Sequence, residues 1–208
     1  MRKWYVRAIE LNYMRAYADL GQIYLSGRGV RRNYAKASSL LQTALEAGVL
    51  GAHGPIGEMY FRGNGRPRSY AKALEHFLLD PAPNIYTTEL AYMYRHGLGI
   101  GRDPEGAIKW YRTALIKGRN YATYEIGTMY WNGEVAEPDS RAKALAWFLL
   151  GAGYGGSKSA RMVERLKSEL NRVLARKAVV HAKTISGEII WDMAIFGYLN
   201  KAPGGFSE

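Results

Sequence analysis

The stretch YATYEIGTMYWNGEVAEPDSRAKALAWFLLGAG, from Tyr121 to Gly153, decides the fold. It reads as a helix, a glycine turn and a second helix, and the chain writes it four times. One tyrosine marks each copy: Tyr24, Tyr60, Tyr94 and Tyr130, at spacings of 36, 34 and 36 residues. A fixed period of about 20–50 residues is the signature of a solenoid, whose units bury their apolar faces only against their neighbours.

Working outward from Tyr130, each first helix carries a small residue (tyrosine in copy three), a branched or aliphatic one, a glycine (alanine in copy three) and the tyrosine on one face. The sets are Ala16, Leu20, Gly21, Tyr24; Ala52, Ile56, Gly57, Tyr60; Tyr86, Leu90, Ala91, Tyr94; and Ala122, Ile126, Gly127, Tyr130. Positions i, i+4 and i+8 share a helix face. A glycine inside a helix costs about 1 kcal/mol against alanine, so its recurrence implies a close approach by another helix. Glycines then close the turn: Gly27 and Gly29, Gly63 and Gly65, Gly97 and Gly99, and Gly133, with Val135 at the second place of a longer fourth turn. Each second helix is expected to start four residues before a fixed alanine (Ala37, Ala73, Ala107, Ala144). The starting residues Asn33, Ser69, Asp103 and Ser140 are N-cap types. Pro104 follows Asp103 at the first helical position. The helices close on Gly48, Gly118 and Gly153.

These residues resemble the Sel1-like repeat, a relative of the tetratricopeptide repeat, over about Arg2 to Gly153. Copies one and four match best. Copy two departs, ending in Leu79-Asp80-Pro81-Ala82-Pro83, which predicts a bend before copy three. The resemblance implies an all-α, right-handed α/α solenoid that acts as an adaptor without catalysis of its own. We expect one domain over 1–208: a half-repeat at 1–13, repeats at 14–49, 50–85, 86–119 and 120–153, and a degenerate repeat with capping helices at 154–200. Among bacterial members of this kind, adaptors in envelope assembly, export, motors and signalling are the expected roles.

The flanks read as follows. Lys3-Trp4-Tyr5 aligns with Lys109-Trp110-Tyr111, so the chain opens inside a second helix, as a native cap or as the remainder of a longer protein. No apolar run follows Met1, so no signal peptide is expected in this stretch. It reads as cytoplasmic, or as periplasmic if a leader lies upstream. After Gly153 the period fades into a basic helix expected from Ser159 through about Ala182. Glu188 to Leu199 is apolar all round yet far short of the ~20 residues that span a bilayer. It reads as a cover for the open end or as a contact surface. Ala202 to Glu208 reads as a frayed tail.

Catalytic patterns dissolve on inspection. Ser69…Lys72 and Ser140…Lys143 fit a nucleophile spacing, but copies one and three carry Asn33 and Asp103 at that place. A cap tolerates that exchange and a nucleophile does not. Gly97-Leu98-Gly99-Ile100-Gly101 follows a helix, where a dinucleotide fingerprint needs a strand. His53, His76, His96 and His181 show no metal-ligand spacing and read as surface or packing residues. The chain has no cysteine. No catalytic residue, metal ligand or cofactor is expected.

Two surface features stand out. The formal net charge is +11, and arginines gather between the paired helices: Arg28, Arg31 and Arg32; Arg62, Arg66 and Arg68; Arg95 and Arg102. A basic edge of this kind is either a solvated face or a site for an anionic polymer or membrane surface; nucleic acid is its weakest form. A second basic stripe is Arg161, Arg165, Arg172 and Arg176. The other feature is a mixed acidic and aromatic strip on the first helices: Tyr17, Asp19, Gln22, Glu58, Phe61, Glu89, Tyr92, Tyr124, Glu125 and Trp131. Related solenoids turn first helices toward a concave groove, and aromatic anchors dominate interface energetics. The expectation is a protein-binding scaffold that uses this groove and the arginine edge.

Overall fold

The helical period is realised as eleven α-helices and one short 3-10 turn, with no strand among the described residues. The computed structural model describes residues 2–82, 85–166 and 172–186. The expected apolar segment Glu188–Leu199 and tail Ala202–Glu208 lie outside them. Where the sequence reads as one domain, contacts gather into two units, Met1–Asp103 and Pro104–Glu208.

The first unit holds α1 (Arg2–Glu10), α2 (Arg15–Ser26), α3 (Tyr34–Glu46), the 3-10 turn (Leu50–Ala52), α4 (His53–Arg62), α5 (Tyr70–Leu79) and α6 (Thr87–His96). The half-repeat at 1–13 is thus the helix α1. The repeat glycine sets how closely paired helices approach. A Cβ on Gly21 would stand 2.7 Å from the Leu41 side chain, and one on Gly57 2.7 Å from Phe77. Leu41 and Phe77 are fully buried, so the glycine makes room for the largest apolar groups of the partner helix. Each turn is then locked in one way. The amide of the cap residue donates to the carbonyl of the repeat tyrosine: Asn33 to Tyr24 at 3.0 Å, Ser69 to Tyr60 at 3.0 Å, Asp103 to Tyr94 at 2.9 Å. Asn33 and Ser69 also cap as expected, accepting from the amides of Lys36 and Lys72.

Successive turns stack through the second glycine. At Gly99, with φ +74, an added Cβ would lie 2.4 Å from the backbone of Tyr70 at the start of α5. Gly65 approaches Tyr34 at the start of α3 in the same manner. Gly29 of the first copy meets nothing. The anomalous end of copy two also has a structural role. Asp80 is extended rather than left-handed, and its buried carboxylate accepts from the amides of Gly54 and Ala82, both at 2.8 Å. The expected departure from the repeat is therefore a tether of the chain back onto α4.

The second unit holds α7 (Pro104–Ile116), α8 (Ala122–Trp131), α9 (Ser140–Gly153), α10 (Ser157–Leu166) and α11 (Arg172–Ser186). Gly127 repeats the close approach, 2.6 Å from Phe148. α9 is buried without interruption from Ala144 to Gly151, because α8, α10 and α11 all pack on it. α11 seats itself through Ala175, Ala178 and Ala182, all buried. It packs on α9 there. Ser140 corrects an expectation. The cap position belongs to Asp139, left-handed at φ +61, and Ser140 is already helical. The Ser140 hydroxyl instead donates to the carbonyl of Glu137 at 2.6 Å, because the longer turn brings its own backbone under the helix start. Gly153 likewise stays helical, and Gly155 takes the left-handed place.

Candidate functional site

The repeat tyrosines build the surface between helices. The lysine before the fixed alanine lies over the tyrosine ring in three copies: Lys36 over Tyr24 at 4.7 Å, Lys72 over Tyr60 at 5.5 Å, Lys143 over Tyr130 at 5.9 Å. The recurrence of lysine at that register was visible in the sequence; its partner was not. Burial holds the Tyr130 phenol above its ordinary value, with Glu137 adding to the shift.

The arginines of the expected edge divide into two groups. Arg66 donates to the Ser38 hydroxyl, the Tyr60 hydroxyl and the Gln42 side-chain oxygen, each at 3.1 Å. It thereby fastens copy two to copy one. Arg32 donates to Tyr34 and to the Ser26 carbonyl, and Arg102 donates to the Arg95 carbonyl. Arg62 pairs with Glu58 at 3.0 Å and with Glu89 at 3.6 Å. Expected edge and expected groove meet at that residue. Arg28, Arg31 and Arg68 are exposed.

Within the first unit there is a groove of about 560 Å³. One wall is α2, which presents Arg15, Asp19 and Gln22 at i, i+4 and i+7, a single helix face. Pro55 of α4, the returning segment from Asp80 to Ala82, Ile85 and Tyr86 also line the groove. Ala18 and Val49 add apolar lining. Asp19 and Gln22 were expected here. Arg15, Asp80, Ile85 and Tyr86 were not, because the last three face the groove only through the tether of Asp80 to Gly54. Tyr86 stacks on Phe77 at 4.7 Å and lies where a Cβ on Gly54 would be. Burial, with Asp80 nearby, holds its phenol well above the ordinary range, so it stays a neutral hydroxyl.

The other expected strip residues lie elsewhere. Tyr17 packs against the core of the first two repeats. Phe61 sits among Tyr70, Phe77 and Tyr92. Tyr92 leans on His96 at 4.3 Å and remains 43% exposed. In the second unit, Tyr124 contacts Phe148 and has Lys158 over its ring, and Arg141 covers Trp131 at 4.6 Å. Glu125 is half-buried on α8.

One pairing lay outside sequence reasoning. His53 and His76, 23 residues apart, bring their Nδ1 atoms to 2.9 Å. The His76 ring stacks on Tyr60 at 5.6 Å. Burial lowers the His76 pKa from its ordinary value; the nearby His53, Arg66 and Lys72 lower it further, and Glu75 opposes them. Among the described residues no group of three or more His, Cys, Asp or Glu could hold a metal ion. No described helix is long and apolar enough to cross a membrane.

The family-level comparison matches the Sel1 repeat at residues 15–49, 53–79, 87–118 and 120–152. The chain belongs to the Sel1 repeat family. It is similar to c5321, a protective antigen of uropathogenic Escherichia coli strains with an SLR fold, at 25% identity and a TM-score of 0.70. That alignment covers 100% of this chain and 45% of the other. It is also similar in fold to a Sel1 repeat protein from Oxalobacter formigenes, at 24% identity and a TM-score of 0.62, covering 74% of this chain and 63% of that one. The chain therefore spans less than two thirds of either protein's length. No curated protein matches it. Sel1 repeats serve in general as protein-interaction scaffolds.

Proposed function

We propose that this Sel1 repeat protein is a non-enzymatic scaffold that holds an extended segment of a protein partner in the groove of its first unit. The observation that carries the reading is the groove itself. It is lined by Arg15, Asp19 and Gln22 from one helix face and by the apolar groups of Pro55 and Ile85. Such a wall offers a cation, an anion and an amide at one-turn intervals. An extended peptide, whose side chains alternate in direction, can set apolar groups on Pro55 and Ile85 and its polar ones on α2. Gln22 supplies both a donor and an acceptor for peptide backbone.

The test is capture of a partner by the full chain, followed by surface plasmon resonance with that partner. Asp19→Arg combined with Gln22→Arg should abolish binding without lowering the melting temperature. Unchanged affinity in that variant would exclude the groove. Tyr92→Ala and Trp131→Ala, tested separately, are the comparison: a loss of more than about 2 kcal/mol at either, the size of an interface hot spot, would place the site on that aromatic instead. Charge reversal at Arg28, Arg31 and Arg68 should act mainly on association rate, as steering charges do. The commitment of Arg32, Arg62, Arg66 and Arg102 to contacts within the chain leaves little of the arginine edge for an anionic polymer or a membrane surface.

A further inference from the structure

We propose that His53 and His76 form a pH-operated latch on the groove wall, holding α4 to α5 while they share a proton and parting when both rings are protonated. The geometry carries the argument. Two Nδ1 atoms 2.9 Å apart are within hydrogen-bond distance only if one bears a proton and the other offers a lone pair. A neutral pair satisfies this, and so does a pair with one imidazolium. A pair with two imidazoliums sets two N–H groups and two positive charges against each other.

The surroundings make the second proton costly. The rings, with centroids 5.0 Å apart, are half-buried between α4 and α5. Tyr60 of α4 stacks on His76. Lys72 of α5 and Arg66 of the turn bring two more cations, both of which oppose protonation of His76. Glu75 of α5 is the one carboxylate that favours it. From α3 the arginine is held by Ser38 and Gln42, which are neutral. Toward α6, Tyr86 stays neutral, and the Asp80 carboxylate is engaged by two backbone amides.

The latch joins the groove directly. His53 precedes Gly54, whose amide is bound by Asp80, and Asp80 stands four residues beyond His76. The two links are adjacent stitches between the start of α4 and the end of α5. Gly51, Pro55, Asp80 and Pro81 all line the groove. The pairing belongs to copy two alone: the corresponding registers elsewhere hold Tyr17 and Leu40, Thr87 and Trp110, and Thr123 and Trp147. The direction in pH follows. The unfolded chain takes up both protons near the ordinary histidine value of 6.5, whereas the folded pair resists the second. The contribution of the latch is therefore complete above pH 6.5 and is lost as pH falls below it.

The test uses the full chain and needs no partner, so its failure leaves the groove reading standing. Histidine ring NMR is followed from pH 8 to 4.5, together with hydrogen exchange at the Gly54 amide. We expect the His76 ring to take up its proton below the ordinary histidine value. Gly54 protection, corrected for intrinsic rate, should fall severalfold between pH 7.5 and 5, the direction that linkage to a lowered His76 value requires. In the variant His53→Thr with His76→Leu, which carries residues found at those registers in other copies, protection should be flat with pH. A His76 titration at or above its ordinary value, with unchanged Gly54 protection in the parent, would overturn the proposal, whatever the variant does.

Discussion

Replacing Gly127 by alanine tests the central packing claim with one methyl group. The added Cβ would lie 2.6 Å from Phe148 Cε1, 2.7 Å from Cδ1 and 3.1 Å from Cζ. Real Cβ atoms do not approach so near, and Phe148 is fully buried and boxed in, so ring or helix must shift. Overpacking of this kind costs about 1–3 kcal/mol. Against it stands the gain of about 1 kcal/mol in helix propensity on replacing glycine by alanine. The net expectation is a loss of up to about 2 kcal/mol, which for a chain of this size is a few degrees of melting temperature at ~2–4 °C per kcal/mol. Gly127→Leu should lose more, since its branch adds atoms on the occupied side. Phe148→Leu should partly rescue Gly127→Ala, with a coupling of about 1 kcal/mol in a double-mutant cycle. Thermal melts and urea titrations of the five proteins, the parent included, decide the matter. A Gly127→Ala protein that melts above its parent would show that propensity alone governs the site, and the close-approach account would fall.

Other outcomes follow from single contacts. Gly29→Ala and Gly99→Ala both force a methyl into the left-handed region, at about 1–2 kcal/mol, but only Gly99 also meets backbone at 2.4 Å; urea unfolding should separate them, with Gly99→Ala the worse. Asn33→Ala should lose about 1 kcal/mol as a lost cap and be rescued by serine, whereas Ser140→Asn should not restore the wild-type hydrogen bond to Glu137, and equal rescue at both sites would refute the distinction. Asp139, exposed and bonded to Lys177 at 2.6 Å, has its carboxyl held below the ordinary value by that lysine; the contact is present above pH 3.8 and is lost as pH falls through the lowered value. Lys177→Ala should raise the Asp139 titration toward 3.8 by NMR, and an unmoved titration would remove the lysine as its cause.

What could be read from the chain was what repeats. Four registers of alanine, glycine and tyrosine fix helix lengths, turn positions and the close approach at Gly21, Gly57 and Gly127, because these depend on spacing along one helix face. N-caps at Asn33 and Ser69 followed from residue type and position. Ser140 misled because the same residue type sits one step inside a longer turn, where its hydroxyl finds the Glu137 carbonyl first. Of the strip expected on the first helices, Asp19 and Gln22 reach the groove of the first unit, while Tyr17 and Phe61 are drawn into packing.

The sequence by itself determined the helical repeat, because a register of 36, 34 and 36 residues and its glycines constrain each helix pair locally. Only the tertiary structure decided which charges are spent and which residues meet. Arg66 becomes a clamp because Ser38, Gln42 and Tyr60 converge on its guanidinium from two repeats. Asp80 becomes a groove wall because Gly54, 26 residues away, offers it an amide. His53 and His76 become a pair because α4 and α5 pack antiparallel and place them face to face. No periodicity announces such contacts: they depend on where one helix comes to rest on the next, and that is set by the summed packing of both faces.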